Sequence, residues 1–101
     1  MGRQLQFYAD LEVTDIADPD VQRVLAELED PMARAGGPAQ IAVDGRRIRL
    51  GTSYRENDPT YTAWLLQAVS QLVKHTRHPS VECLLCDSAG DWWSERVYPA
   101  A

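Results

Sequence analysis

A chain of 101 residues, 45% hydrophobic and 25% charged, has the composition of an ordinary globular protein and enough length for one core, so we expect a single α+β domain over residues 1–101. The formal net charge of −5 argues against binding to nucleic acid, because a negative chain gains little from counterion release on phosphates. No apolar run reaches the roughly 18–20 residues that cross a bilayer, and no signal peptide is evident. The sequence therefore predicts a cytoplasmic protein, of bacterial type by its preference for arginine over lysine, with reduced thiols and no membrane contact.

The first predicted element is a strand with one buried face. Apolar and polar residues alternate over nine positions, and a period of two is the pattern of a strand in a half-exposed sheet. The apolar positions are Leu5, Phe7, Ala9, Leu11 and Val13.

A helix is expected next, opened by Asp18-Pro19. An aspartate can accept hydrogen bonds from the free amides of the first turn, and proline suits the first helical position. Apolar residues then follow at the spacing of one helix face: Val21, Val24, Leu25 and Leu28. Pro31 predicts the end of this helix near Asp30, and 36–38 reads as a loop.

The segment from Ile41 to Leu50 predicts a hairpin with Asp44-Gly45 as a two-residue type I′ turn. That turn pairs Val43 with Arg46 and Ile41 with Ile48. Ile41, Val43, Ile48 and Leu50 would then be buried, with Arg47 and Arg49 on the other face. Ser53, Tyr54, Arg55 and Asn57 are expected in a loop that could line a pocket, although their spacing encodes no recognisable mechanism.

Asp58-Pro59 repeats the helix-start signal, and a broad apolar stripe follows it. The stripe comprises Tyr61, Trp64, Leu65, Ala68, Val69, Leu72 and Val73. The helix is expected to run to about 75–78 and to stop at Pro79, with its basic residues near the negative helix end.

The last segment predicts a second hairpin, with Val81 to Asp87 as one strand and Asp91 to Tyr98 as the other. A three-residue loop with Gly90 in the left-handed conformation puts Leu84, Cys86, Trp92, Arg96 and Tyr98 on one face. A four-residue loop would exchange the faces of the second strand, so both registers stay open at this stage.

The element order β-α-β-β-α-β-β favours a two-layer, ferredoxin-like sandwich. The expected sheet has five mainly antiparallel strands in the order 5-4-1-3-2, with both helices on one face.

A metal site is the first candidate for chemistry, because two histidines and two cysteines lie within twelve residues as His75, His78, Cys83 and Cys86. The two cysteines are three apart in a strand, so their side chains should point to opposite faces. Zinc-binding Cys-x-x-Cys pairs usually occupy a turn instead. We therefore expect no metal and no cofactor at these residues, and no redox role for the cysteines.

The uncovered face of the sheet is the second candidate. It would carry aromatic and arginine side chains, which are enriched in protein-binding hot spots: Tyr8, Arg47, Arg49, Leu84, Trp92, Arg96 and Tyr98. Aromatic residues on such a sheet can also stack on RNA bases, but the net charge and the lack of a matching central-strand motif argue against RNA. A protein partner or a second copy of the chain is the expected occupant.

An acidic surface is the third candidate and could fit a cationic partner. Its members are Asp10, Glu12, Asp15, Asp18, Asp20, Glu27, Glu29 and Asp30. They are equally well explained as helix caps and a solvated helix face.

No common catalytic motif occurs in the chain. The sequence thus favours a noncatalytic protein-interaction module, of inhibitor, immunity or regulatory type, that uses the sheet face or the acidic surface. The alternative is a small homodimeric enzyme or ligand-binding domain with its pocket between two copies.

Overall fold

The structure is a computed structural model that describes residues 3–30, 39–56 and 59–101. The elements in these ranges are β1 (Arg3–Glu12), α1 (Pro19–Glu29), β2 (Gln40–Asp44), β3 (Arg47–Glu56), α2 (Pro59–Val73), β4 (Val81–Asp87) and β5 (Trp92–Val97). The expected α+β class, with two helices and five strands, is confirmed. Neither helix is both long and apolar enough to cross a membrane, within the residues that the structure describes.

The five strands form one sheet in the order β2-β3-β1-β4-β5, and every neighbouring pair is antiparallel. This is the expected order of neighbours, read from the opposite edge. The first strand therefore lies in the centre, with Tyr8 opposite Gly51 of β3 on one side and opposite Leu84 of β4 on the other.

The core lies between the two helices and one face of the sheet. Alternate residues of β1 are buried, as their spacing predicts, and they belong to the same core as the buried face of α1. The core side chains from both helices and from β1, β3, β4 and β5 form one cluster. Each fully buried Val, Leu or Phe in it contributes roughly 1.5–3 kcal/mol relative to exposure, so this cluster dominates the stability of the fold.

The start of α1 confirms the predicted cap. The Oδ1 atom of Asp18 accepts a hydrogen bond of 2.8 Å from the amide of Asp20, and Pro19 is the first helical residue. The helix ends at Glu29, one residue before the predicted end. Pro31 and the predicted loop at 36–38 lie outside the described residues.

The first hairpin corrects the predicted turn. Its two loop residues are Gly45 and Arg46, and Val43 pairs with Ile48 rather than with Arg46. Gly45 alone has a positive φ, 61°, which indicates a type II′ turn. Asp44 stays in β2 opposite Arg47, so the turn begins one residue later than predicted.

The shift by two residues leaves the predicted faces unchanged, because side chains alternate with a period of two. Ile48 and Leu50 are fully buried, as expected. Val43 was expected to be buried too, but 49% of it is exposed. It lies near the end of the edge strand β2, next to the turn.

The prediction of a loop at Ser53, Tyr54 and Arg55 is wrong, because β3 continues to Glu56 and pairs with β1 along its whole length. Tyr54 is buried there, and its hydroxyl lies 2.6 Å from Oγ1 of Thr62 on α2. Asn57, the fourth member of the predicted group, lies outside the described residues.

Helix α2 ends at Val73, earlier than predicted. The amides of His75 and Thr76 bond to the carbonyls of Leu72 and Val73, which closes a tight turn. The carbonyl of His75 then accepts from the amide of Thr14 at 2.8 Å. These bonds to the end of β1 replace further helical turns, so the basic residues lie beyond the helix and not in its last turn.

The β4–β5 hairpin settles the register that the sequence left open. Asp87 and Asp91 flank a three-residue loop, and Gly90 has a φ of 89°. Oδ1 of Asp87 accepts from the amides of Ala89 and Asp91, both at 3.0 Å, which fixes the loop. Cys86 is therefore opposite Trp92, and Val81 is opposite Val97.

Candidate interaction surface

The face of the sheet opposite the helices, which we call the open face, carries a continuous row of exposed apolar side chains. Tyr8 on β1 lies opposite Leu84 on β4. Cys86 is two residues further along β4 and lies opposite Trp92 on β5. The exposed fractions are 44% for Tyr8, 42% for Leu84 and 73% for Trp92. These three residues and the partly exposed Cys86 form the apolar strip, which spans β1, β4 and β5.

The arginines at one end of the open face are paired with acids. Arg47 binds Asp10 through two hydrogen bonds, Nε to Oδ1 at 2.8 Å and a terminal nitrogen to Oδ2 at 2.6 Å. Nε of Arg49 lies 3.9 Å from the same carboxylate. The hydrogen bond from Arg47 holds the pKa of Asp10 below its usual range. The predicted arginines are therefore on the open face, but they are held by Asp10 and are not free charges.

At the other edge, Arg96 donates to Oγ of Ser80 at 2.8 Å and lies 3.4 Å from a carboxylate oxygen of Glu82. Tyr98 is exposed, but it follows the last paired residue of β5, and its carbonyl accepts a hydrogen bond from Ser70 of α2. The strand register therefore places Arg96 on the open face and does not fix the side of Tyr98.

A shallow depression of about 380 Å³ lies beside the apolar strip, over the β2–β3 side of the sheet. Its open-face lining is Gln6, Tyr8, Gln40, Gly51 and Ser53. Gly51 produces it, because a residue without a side chain leaves a gap in the strand surface. Sequence reasoning missed this feature because it ended the strand at Leu50; a glycine that continues an alternating strand was the available signal.

The predicted acidic residues do not form one free surface. Asp20 binds both Arg23 and Nε2 of His75, the latter at 2.7 Å, and Glu27 binds Arg23 at 3.0 Å. The hydrogen bonds from Arg23 and then from His75 lower the pKa of Asp20 to about 2. Asp18 caps α1, so these carboxylates have local structural partners.

The histidines and cysteines considered as metal ligands are dispersed. Cys83 is fully buried in the core and Cys86 lies on the open face, as their strand spacing predicts. Burial raises the pKa of Cys83 to about 12, which makes its thiol unreactive. The described part of the chain contains no cluster of three or more His, Cys, Asp or Glu side chains that could hold a metal ion.

Two further depressions lie at the end of the sheet where β1 stops and β3 begins. Glu12 and His78 line both of them, with Arg47 and Asp10 in one and Arg46 and Arg77 in the other. Arg46 lies 3.7 Å from Glu12, and the lining side chains are mostly exposed and of both signs. Such mixed charges on a shallow surface give no selectivity for a particular ion.

Comparison of this chain with known protein families, with curated proteins and with solved structures gives no match.

Proposed function

We propose that the chain is a noncatalytic protein-interaction module that binds its partner through the open face. The observation that supports this function is the apolar strip: three large side chains, Tyr8, Leu84 and Trp92, are exposed next to one another on the face without helices. Contiguous exposed apolar groups bordered by polar residues are typical of protein-binding surfaces. Tyrosine, tryptophan and arginine are also the residues most often found at binding hot spots.

The local pairing of the acids favours the open face over the acidic surface as the binding site. Asp20 and Glu27 share Arg23, and Asp10 is held by Arg47. Carboxylates whose charge is already compensated by arginines attract a cationic partner less strongly than free carboxylates do. The apolar strip is not weakened in this way.

The proposed fold type is ferredoxin-like, β-α-β-β-α-β with β5 added at one edge. The order β2-β3-β1-β4-β5 and the position of both helices on one side support it. A sheet covered on one side presents its other side to a partner. We place the protein in the cytoplasm, which agrees with its two free thiols.

Site-specific photocrosslinking tests the proposed surface. A photoreactive residue at position 94, on β5 beside the strip, should give a saturable adduct with a protein in an extract of the source cells. The same residue at position 67, on the exposed side of α2, should not. Ser94 is opposite Leu84 and exposed, so the probe itself leaves the strip intact.

Competition gives the decisive comparison. An excess of unlabelled protein should abolish the adduct, whereas an excess carrying Leu84→Ser and Trp92→Ala should not. Val43→Ser is the matched control, because it removes an equally exposed apolar side chain from the helix side of the sheet and should compete fully. Equal adducts from both positions, or full competition by the strip variant, would contradict the proposal.

A further inference from the structure

We infer that the occupant of the open face is a second copy of this chain, with the two sheets packed face to face about a two-fold axis that runs along β1. This inference rests on the proposed function, because it names the partner of the surface proposed there. Three properties of the open face support a second copy: its charge, its shape and its area.

The open face carries no net formal charge, although the whole chain is negative. Strand alternation places four acids and four arginines on it: Asp10, Glu12, Asp44, Glu82, Arg47, Arg49, Arg55 and Arg96. Its formal charge is therefore zero, whereas the whole chain carries −5. Two copies that approach through this face bring no net formal charge together at the contact, because the five excess acids of each copy lie outside it.

Because β1 is the central strand, a two-fold rotation about it places the five strands of one sheet over the five strands of the other. A two-fold rotation about β1 exchanges the positions of β3 and β4, and those of β2 and β5. Gly51 on β3 and Leu84 on β4 both lie opposite Tyr8, so they occupy the same row across the sheet. The rotation thus lays Leu84 of each copy over Gly51 of the other.

This contact matches a protrusion with a gap. Leu84 projects from the open face where Gly51 leaves the depression of about 380 Å³. Trp92, on β5, would reach the β2–β3 side of the other copy and cover the edge of the same depression. The two contacts occur twice by symmetry, and the Tyr8 rings meet at the axis.

The next row of the sheet pairs opposite charges. Arg49 on β3 lies opposite Asp10 on β1. The paired part of β1 and β4 ends at Tyr8 and Leu84, and continuing this register by two residues puts Glu82 of β4 level with Asp10. The same rotation therefore brings Arg49 of one copy over Glu82 of the other. Asp10 meets its own copy at the axis, where its charge is already compensated by Arg47 and Arg49.

The open face is large enough for a stable dimer. Five strands about 4.8 Å apart give a width of about 24 Å, and strands of five to ten residues at about 3.3 Å each average about 25 Å in length. The resulting flat area is about 600 Å² per copy, which equals the lower bound for specific protein interfaces. The uneven surface of the side chains adds to this area.

Sedimentation equilibrium of the full chain tests the inference. We expect a monomer–dimer equilibrium with a Kd in the micromolar range or tighter. Leu84→Ser and Gly51→Val should each raise the Kd at least tenfold. Gly51→Val is informative because a Cβ there meets only the carbonyl oxygen of Phe7, at 4.0 Å, and its two methyl groups would occupy part of the depression. Val43→Ser, on the opposite side of the sheet, should leave the Kd unchanged.

A charge exchange tests the orientation. Arg49→Glu and Glu82→Arg should each weaken the dimer, and the double variant should recover most of the affinity, because it restores the pair in reverse. Failure of this recovery would overturn the proposed axis. A wild-type chain that stays monomeric at about 1 mM would overturn the second copy as partner and leave the interaction module with a different partner. A dimer that persists unchanged in Leu84→Ser and Gly51→Val would show that the chain self-associates through another surface, and would overturn the second copy as the occupant of the open face.

Discussion

His75 joins three parts of the molecule that are distant in sequence. Its Nε2 lies 2.7 Å from Asp20 in the first turn of α1, and its Nδ1 lies 3.9 Å from a carboxylate oxygen of Asp18. Its backbone carbonyl accepts from the amide of Thr14, just after β1. A residue that resembled a metal ligand in the sequence thus fastens the end of one helix to the start of the other.

Asp20 should make the stability of the protein depend on pH at the acid end. Its pKa is about 2 in the folded chain and 3.8 as a free side chain, so its stabilising contribution is complete above pH 3.8 and disappears as the pH falls through about 2. Asp20→Asn should remove this part of the dependence. Urea midpoints between pH 2 and pH 6 should therefore rise less steeply with pH in the variant than in the wild type.

Ala26→Gln, at an exposed position of the same helix that carries no titrating group, is the control and should leave the slope unchanged. Parallel wild-type and Asp20→Asn curves would show that the bonds from Arg23 and His75 do not stabilise the folded state. The partner of His75 could not be predicted, because Asp20 is 55 positions away and only the tertiary fold brings the two together.

At the scale of elements, the two glycines of β3 and its turn have opposite roles. Gly45 occupies the left-handed region in the turn. The φ of Gly51 is not positive, and there is room for a side chain at this position. Gly45→Ala should destabilise the protein by about 1 kcal/mol, because a Cβ is strained in that conformation. Gly51→Ala should be neutral or stabilise it by about 0.5 kcal/mol, since glycine is a poor strand residue.

Chemical denaturation of the two variants at equal, low protein concentration checks this contrast. Equal losses of stability would contradict it, and would indicate that Gly51 is required for the monomer fold and not only for the surface of the sheet.

Local signals predicted most element starts, and long-range contacts decided where several elements end. Asp18-Pro19 and the alternation of β1 depend on neighbours within a few residues, so both were predicted correctly. The end of α2 and the length of β3 depend on hydrogen bonds to β1, about 60 and 50 positions away. No local pattern marks the end of α2, whereas the alternation that continues past Gly51 was a local signal for the longer β3.

The candidate surface was predicted only in part. The three-residue loop at Gly90 and the alternation of β1 placed Tyr8, Trp92 and Arg96 on the open face. The depression at Gly51 was not predicted, because it exists only where β3 pairs with β1 beyond Leu50.

For the whole molecule, the two faces of the sheet should respond differently to the same substitution. Leu5 is fully buried between the helices and the sheet, whereas Leu84 is exposed on the open face. Leu5→Ala should cost about 2–5 kcal/mol, a large part of the total stability of a small domain. Leu84→Ala should change it by less than about 0.5 kcal/mol.

Thermal or urea unfolding, at a concentration low enough to keep the chain monomeric, measures both values. A large loss in Leu84→Ala under those conditions would mean that the apolar strip supports the monomer fold, and would remove the reason to regard it as a binding surface.

The central place of β1 also sets an order for folding during synthesis. β1 is the first strand along the chain, yet its two neighbours are β3 and β4, and Leu5 pairs with Asp87. When α1 and the β2–β3 hairpin have left the ribosome, β4 has not, so one side of β1 still has no neighbouring strand. The sheet is completed only when β4 and β5 emerge, so β1 stays incompletely paired until then. Such non-local pairing folds slowly and gives chaperones an opportunity to bind this chain at β1.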